Sequence, residues 1–155
     1  MESTLRENAA LVRAFLTGVV AGGDTDALGT SLTDDALNYQ PILGERRDGN
    51  TVRPTQWYVL AAADIDISVD EVVTENDQVA VRGTVTGTHR ESLLDLVPTG
   101  RSFEIACMWF CRVENGRIKE IRSLPDGLDL VQQFDSILEK SSTPSSIHPT
   151  ERQQP

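Results

Sequence analysis

The sequence predicts an α+β fold in which N-terminal helices pack on a curved antiparallel sheet of four or more strands, followed by a C-terminal helix. Two observations predict it. The spacing of apolar residues changes from about 3.6 to 2 near residue 64, and a helical spacing returns after residue 126. Helices, then consecutive long strands, then a helix follow the order of an α+β domain rather than of alternating strands and helices.

Three helices are predicted before the sheet. The first covers residues 4–21, where apolar residues recur at steps of three and four, Thr4 and Glu7 form a capping-box pair, and two glycines follow. A short helix covers residues 26–32. A third covers residues 54–63 and has a proline at its first helical position.

The strands are predicted from apolar residues that alternate with polar ones. In "DIDISVDEVV" the isoleucines and valines alternate with acids, as in a strand with one solvated face. An Asn-Gly pair at 115–116 is a strong hairpin signal between the last two strands. The predicted strands are 64–73, 79–89, 101–113 and 116–124, with a loop over 90–100 and a last helix over 126–139.

Length and composition indicate one globular domain. The chain has 155 residues, of which 39% are hydrophobic and 25% charged. We expect the domain to cover residues 1–140 and a polar, proline-containing tail over 141–155 to be disordered. The start of the chain is too polar for a signal peptide, which predicts a cytoplasmic protein. A net charge of −10 argues against nucleic acid or an anionic membrane as partner.

The two cysteines are expected to be buried structural thiols. Cys107 and Cys111 lie four residues apart in a predicted strand, about 13 Å at the usual rise per residue. A disulfide spans about 6 Å, so the two cannot be bridged. They also lack nearby histidines, and no cluster of metal-ligating residues predicts a metal site.

A twisted sheet that curls around a helix encloses a cone large enough for a small ligand. In the third predicted strand, residues two apart share a face, and this row either lines the pocket or packs against a second subunit. Trp57 on the third helix is expected to belong to the core or a lid, and Tyr39 and Asn38 are candidate polar contacts. The candidate pocket row is Phe103, Ile105, Cys107 and Trp109.

Four stretches resemble the SnoaL-like polyketide cyclases (ester cyclases) of the nuclear-transport-factor-2-like superfamily. They are "DEVVTENDQVAVRGTVTGTH", "LVPTGRSF", "RVENGRIKEI" and "LPDGLDLVQQF", in the family's order and spacing. The resemblance covers residues 8–135. It implies a cone-shaped α+β domain, commonly dimeric or tetrameric, with an apolar pocket.

The resemblance also implies chemistry. Cyclases of this family close a ring by an intramolecular aldol reaction without metal or organic cofactor. An aspartate on the last strand is the acid/base, and a histidine on the neighbouring strand positions the substrate. On these positions the present chain carries Ser123 and Trp109. A neutral serine cannot act as a base near pH 7 without an activating partner, so the family mechanism does not transfer directly.

Three other residues are candidates for a catalytic role. Asp126 follows the last strand and could be a working carboxylate, but an aspartate that opens a helix is also a good N-cap. His89 ends a strand and could be a general base or a hydrogen-bond donor, or could merely bond to the following loop. Arg101 could grip a carboxylate or enolate oxygen, or pair with Glu91 or Asp95.

Two hypotheses follow from these residues. The first is a cofactor-free cyclase or isomerase with a relocated acid/base, acting on an aromatic or polyketide-like molecule. The second is a non-catalytic protein that binds such a molecule, with Trp109 and Ser123 marking an abandoned active site. Both predict a small apolar ligand and a homodimer or tetramer.

Overall fold

A computed structural model describes residues 1–39, 50–51, 62–91 and 97–141. These residues build one six-stranded sheet, with helices at both ends of the chain. Across the sheet the strands lie in the order β2 (Asn50–Thr51), β1 (Leu32–Tyr39), β6 (Arg117–Pro125), β5 (Ser102–Glu114), β4 (Gln78–His89) and β3 (Ala62–Glu75). The four long strands are antiparallel neighbours, as the sequence predicts, whereas β1 lies parallel to β6 and makes the sheet mixed.

The N-terminal helix differs in detail from the prediction. α1 spans Glu2–Ala14 and continues as a π-helical segment, Phe15–Val20, in which Ala21 N–H donates to Leu16 C=O at 3.0 Å. The capping box is wrong, because Met1 is the N-cap and no side chain caps the helix. The buried residues of this element are Asn8, Val12, Phe15, Leu16, Val19 and Val20.

The short second helix is confirmed in its position, although its first turn is a 3₁₀ turn. A 3₁₀ turn over Thr25–Ala27 leads into α2, Leu28–Ser31, and the chain then extends at Leu32. That extension is β1, Leu32–Tyr39, which the sequence did not reveal. Only Leu32 and Ala36 are buried in it, and a register irregularity interrupts the alternation on which strand prediction depends.

Five more strands follow β1, of which β2 was not predicted and the other four agree with the prediction to within two residues at every bound. They are β2 (Asn50–Thr51), β3 (Ala62–Glu75), β4 (Gln78–His89), β5 (Ser102–Glu114) and β6 (Arg117–Pro125). The hairpin at Asn115-Gly116 is confirmed, with φ of 50° and 75° at the two turn residues. Residues 62–63 belong to β3 and not to the predicted third helix.

The C-terminal helix, α3 (Gly127–Ser141), and the residue before it bind the backbone of β5 where β5 has no neighbouring strand. β6 ends opposite Cys107, so the described residues supply no strand beside 102–106 on that side. Instead Asp126 N–H donates to Ala106 C=O at 2.9 Å, and the Gln133 amide bonds to both Glu104 N–H and C=O, at 3.3 and 2.8 Å.

Two predictions lie outside the described residues. They are the helix over residues 54–61, which includes Trp57, and the polar tail beyond residue 141. Within the described ranges, no helix combines the length and apolar character needed to cross a membrane.

The sheet is packed tightly at Gly83 of β4. A Cβ placed there would stand 2.4 Å from the backbone oxygen of Ser68 on β3 and 3.1 Å from Cζ3 of Trp109 on β5. Both distances are shorter than ordinary van der Waals contact, and a backbone oxygen cannot rotate away. Glycine at this position therefore allows β3 and the Trp109 ring to approach β4.

We expect Gly83→Ala to lower the free energy of unfolding by about 1–3 kcal/mol, since the added methyl group forces a backbone shift. The measurement is urea denaturation followed by circular dichroism. Gly29→Ala is the matched control: nothing lies within 4 Å of its added Cβ, and the helix propensity of alanine should raise stability by up to about 1 kcal/mol. Equal stability of Gly83→Ala and the parent would contradict the packing described here.

Candidate functional site

The inner face of β5 carries the row of residues that the sequence singled out. Every second side chain of this strand is buried and every intervening one is exposed. Phe103, Ile105, Cys107 and Trp109 lie on the same face of the sheet. The strand therefore places all four candidate pocket residues of β5 on its inner side.

Trp109 sits at the centre of this inner face. It pairs across the sheet with Val81 of β4 and Ser123 of β6, and only 1% of its surface is exposed. Its Cζ3 edge lies over Gly83. The Nε1 edge of an indole is opposite Cζ3, so the N–H is turned away from Gly83.

Three polar atoms in the part of this face around Trp109 have no hydrogen-bond partner among the described residues. They are Trp109 Nε1, Ser123 Oγ and Asn38 Oδ1, each buried from solvent. A buried polar group that is left unpaired costs about 1–3 kcal/mol. Most buried polar groups in folded proteins are paired, so three neighbouring exceptions mark this region of the inner face.

Tyr39 lies elsewhere. Its ring is stacked under the guanidinium of Arg122, with Cζ 4.2 Å from the ring centroid. Tyr39 pairs with Arg122, and Arg122 pairs with Phe110. Because paired residues share a face, Tyr39 belongs to the outer side of the sheet, opposite to Trp109.

The two thiols are inert. Both Cys107 and Cys111 are buried, and burial raises the pKa of each to about 12. A thiol with such a pKa stays protonated near neutral pH and is a poor nucleophile. Cys107 can therefore line a pocket, but it cannot supply nucleophilic catalysis.

His89 is buried at the end of β4, beneath α3. Its ring stacks on Phe134, with centroids 4.1 Å apart and planes at 18°, and Phe103 meets Phe134 edge-on at 5.9 Å. Only 1% of His89 is exposed. The Phe134 contact could not be predicted from sequence, because it depends on how α3 packs over the sheet.

The hydrogen bonds of His89 select its tautomer. Thr99 N–H donates to Nδ1 at 3.2 Å, and the Thr99 hydroxyl is also 3.2 Å away. A neutral ring nitrogen that accepts a hydrogen bond carries no proton, so the proton is on Nε2. Nε2 is buried and has no partner among the described residues. His89 thus presents a donor, with its basic nitrogen occupied by Thr99.

Arg101 is exposed and contributes through its backbone. Its C=O accepts from His89 N–H at 2.8 Å, and its N–H donates to Thr99 Oγ1 at 3.3 Å. Within the described part of the chain its guanidinium forms no ion pair. A guanidinium has five N–H donors and no acceptor, so Arg101 could only donate to a ligand.

Asp126 caps α3. Its Oδ1 accepts from Asp129 N–H at 3.0 Å, and its C=O accepts from Leu130 N–H at 3.2 Å. The residue is exposed and lies beside Ala106, whose side chain is on the outer face of β5. The cap interpretation is therefore confirmed.

The catalytic candidates do not converge. His89 lies opposite Arg101, eight residues from Trp109 along β5, which is about 27 Å of strand. Asp126 bonds to Ala106, which is three residues from Trp109 along β5, but Asp126 is exposed. The described residues hold no group of three or more His, Cys, Asp or Glu that could bind a metal ion.

The chain belongs to the SnoaL-like polyketide cyclase family, whose model matches residues 10–134. IdmH from Streptomyces antibioticus, a candidate polyketide cyclase, is 26% identical over 83% of this chain and 98% of its own, with a TM-score of 0.66. Among curated proteins none matches.

Two more distant structures show the same fold. A candidate polyketide cyclase from Acidithiobacillus ferrooxidans is 16% identical, with a TM-score of 0.71 over 84% of this chain and 95% of its own. A nuclear-transport-factor-2-like protein from Burkholderia thailandensis is 19% identical, with a TM-score of 0.63 over 81% and 95%.

We expect Asp126→Ala to lower the free energy of unfolding by about 1 kcal/mol, because it removes the cap of α3. Asp126→Ser keeps an acceptor at the cap and should stay within a few tenths of the parent. Thermal and urea unfolding of both variants measure this. Equal losses in the two variants would show that the carboxylate does something other than capping.

Proposed function

We propose that this protein binds a small, largely apolar molecule, aromatic or polyketide-like, against the inner face of its sheet, without an acid/base at that place. The observation that carries the proposal is the burial of Trp109 and Ser123 side by side on the inner face, with their polar atoms unpartnered among the described residues. A flat indole between apolar neighbours suits an aromatic ligand.

The chemistry of the site supports binding over ring closure. Aldol closure needs a base that removes a proton from a carbon beside a carbonyl. Asp126 is engaged as a helix cap, Arg101 has only N–H donors, and Nδ1 of His89 accepts from Thr99. None of these groups is a base next to Trp109.

The second candidate is a cofactor-free cyclase or isomerase that uses His89. Family membership favours it, and so does Nε2 of His89, which is buried without a partner among the described residues. In this role the Nε2–H would polarise a substrate carbonyl, and proton removal would require the other tautomer.

Binding and proton transfer can be separated with 1-tetralone, a bicyclic aromatic ketone. We expect calorimetry to show binding that Trp109→Leu weakens at least tenfold, while Leu128→Ala, which alters an exposed residue of α3, has no effect. We expect the protons beside the carbonyl to exchange in D₂O at the uncatalysed rate.

Faster exchange that disappears in His89→Gln but persists in Asp126→Asn would instead establish the enzyme. Both candidates would be overturned if the protein did not bind 1-tetralone and native mass spectrometry of the purified protein showed no bound molecule.

We also propose that a second copy covers the outer face of the sheet, forming a homodimer. Val73, Met108, Phe110 and Leu124 line a groove of about 490 Å³ on that face, and 44–63% of each is exposed. Arg82 pairs with Glu71 at 3.4 Å at one end, and Arg122 with Glu120 at 2.7 Å at the other. Both ends carry both charges, so a two-fold axis can place arginines against glutamates.

Light scattering coupled to size exclusion should give twice the chain mass for the parent and the chain mass for Met108→Asp, which puts a charge in the apolar groove. Ser102→Asp, on the same face of β5 but outside the groove, should stay dimeric. A monomeric parent would overturn the proposal, and a tetramer that Met108→Asp reduces to a dimer would extend it.

A domain of residues 1–140 and a cytoplasmic location stay predictions from sequence.

A further inference from the structure

Three unpaired polar groups lie on three adjacent strands. Asn38 is on β1, Ser123 on β6 and Trp109 on β5, and these strands are neighbours in the sheet. We infer that they form one neutral hydrogen-bonding recess, which takes the end of a ligand that carries both a hydroxyl and a carbonyl group. The inference rests on the proposed function and names the ligand class.

The register brings the three groups together. Ser123 is the direct cross-strand partner of Trp109, which places their Cβ atoms about 5 Å apart. Asn38 pairs with Ile121, two residues before Ser123, and is therefore the diagonal neighbour of Ser123 on the same face. The three side chains are therefore neighbours on one face, although they do not bond to one another.

Their hydrogen-bonding capacities define the ligand. The indole N–H can only donate, so it requires an acceptor such as a carbonyl oxygen. The Asn38 oxygen can only accept, so it requires a donor such as a hydroxyl. The Ser123 hydroxyl can do either and can join the two. A ligand with only one of these functions would leave one protein group unpaired.

The recess selects a neutral molecule. Its inner-face neighbours are Val81, Cys107, Cys111 and Ile121, all buried and uncharged at neutral pH. A buried charge without a partner is strongly unfavourable. A neutral hydroxy-ketone or enol fits this chemistry, whereas a carboxylate or an amine does not.

Four bicyclic probes separate the contributions. They are 4-hydroxy-1-tetralone, 1-tetralone, 1-tetralol and tetralin, which carry both groups, the carbonyl, the hydroxyl or neither. The ring holds the hydroxyl and the carbonyl of the first probe too far apart for an internal hydrogen bond. Calorimetry gives the four affinities for the parent and each variant, and tetralin reports apolar contact alone.

We expect Trp109→Phe to weaken the two ketones about tenfold more than it weakens tetralin, and to spare the preference for a hydroxyl. Asn38→Leu should do the converse, weakening the two alcohols about tenfold more than tetralin. Ser123→Ala should weaken 4-hydroxy-1-tetralone most. Ser102→Ala, which removes an exposed hydroxyl from the outer face of β5, is the control.

The Tm of Ser123→Ala distinguishes a ligand-binding role of this hydroxyl from a structural one. Removing a buried hydroxyl that has no partner should raise the Tm of the empty protein or leave it unchanged. We therefore expect Ser123→Ala to bind worse and to melt no lower than the parent. A hydroxyl that only holds the chain together would give a lower Tm when removed.

The outcomes are distinct. Equal weakening of all four probes by Trp109→Phe, or a clear fall in Tm for Ser123→Ala, overturns the recess and leaves the proposed binding function intact. Failure of all four probes to bind the parent overturns the recess. If native mass spectrometry of the purified protein also shows no bound molecule, the proposed function itself is overturned.

Discussion

The register of β5 between its two neighbours is the constraint on which the rest of the structure depends. Eleven consecutive residues of β5 pair with β4 without a shift. A slip of one residue would exchange the faces of the strand. Trp109 would then face outward, and Met108 and Phe110 would face the core. The indole, the buried thiols and the outer groove all owe their positions to this one pairing.

Much of the fold could be predicted from sequence because the paired strands alternate between buried and exposed residues. β4 and β5 alternate regularly, and an Asn-Gly turn joins β5 to β6. β1 gave no comparable signal, because a register irregularity breaks its alternation and its direction is set by β6, which lies more than eighty residues away. The π-helical turn in the first helix also has no periodic signature of its own.

The candidate site was less predictable, because the role of a side chain depends on neighbours that sequence does not show. For Asp126 the sequence favoured a helix cap over a catalytic carboxylate, and the bond from Asp129 N–H shows the cap. His89 was a candidate base from sequence, but in the structure its Nδ1 accepts a hydrogen bond from Thr99 N–H. Trp109 and Ser123 could be placed on one face from parity and family resemblance, but that their polar atoms are unpaired is visible only in the folded structure.

The contact between Gln133 and Glu104 has a consequence for association between chains. An exposed strand edge with free N–H and C=O groups is a template on which another chain can add a strand. The Gln133 amide and Asp126 N–H occupy that edge of β5 where β6 has ended. The C-terminal helix thus prevents another chain from adding a strand to β5. A chain shortened before Gln133 would leave this edge of β5 open to aggregation.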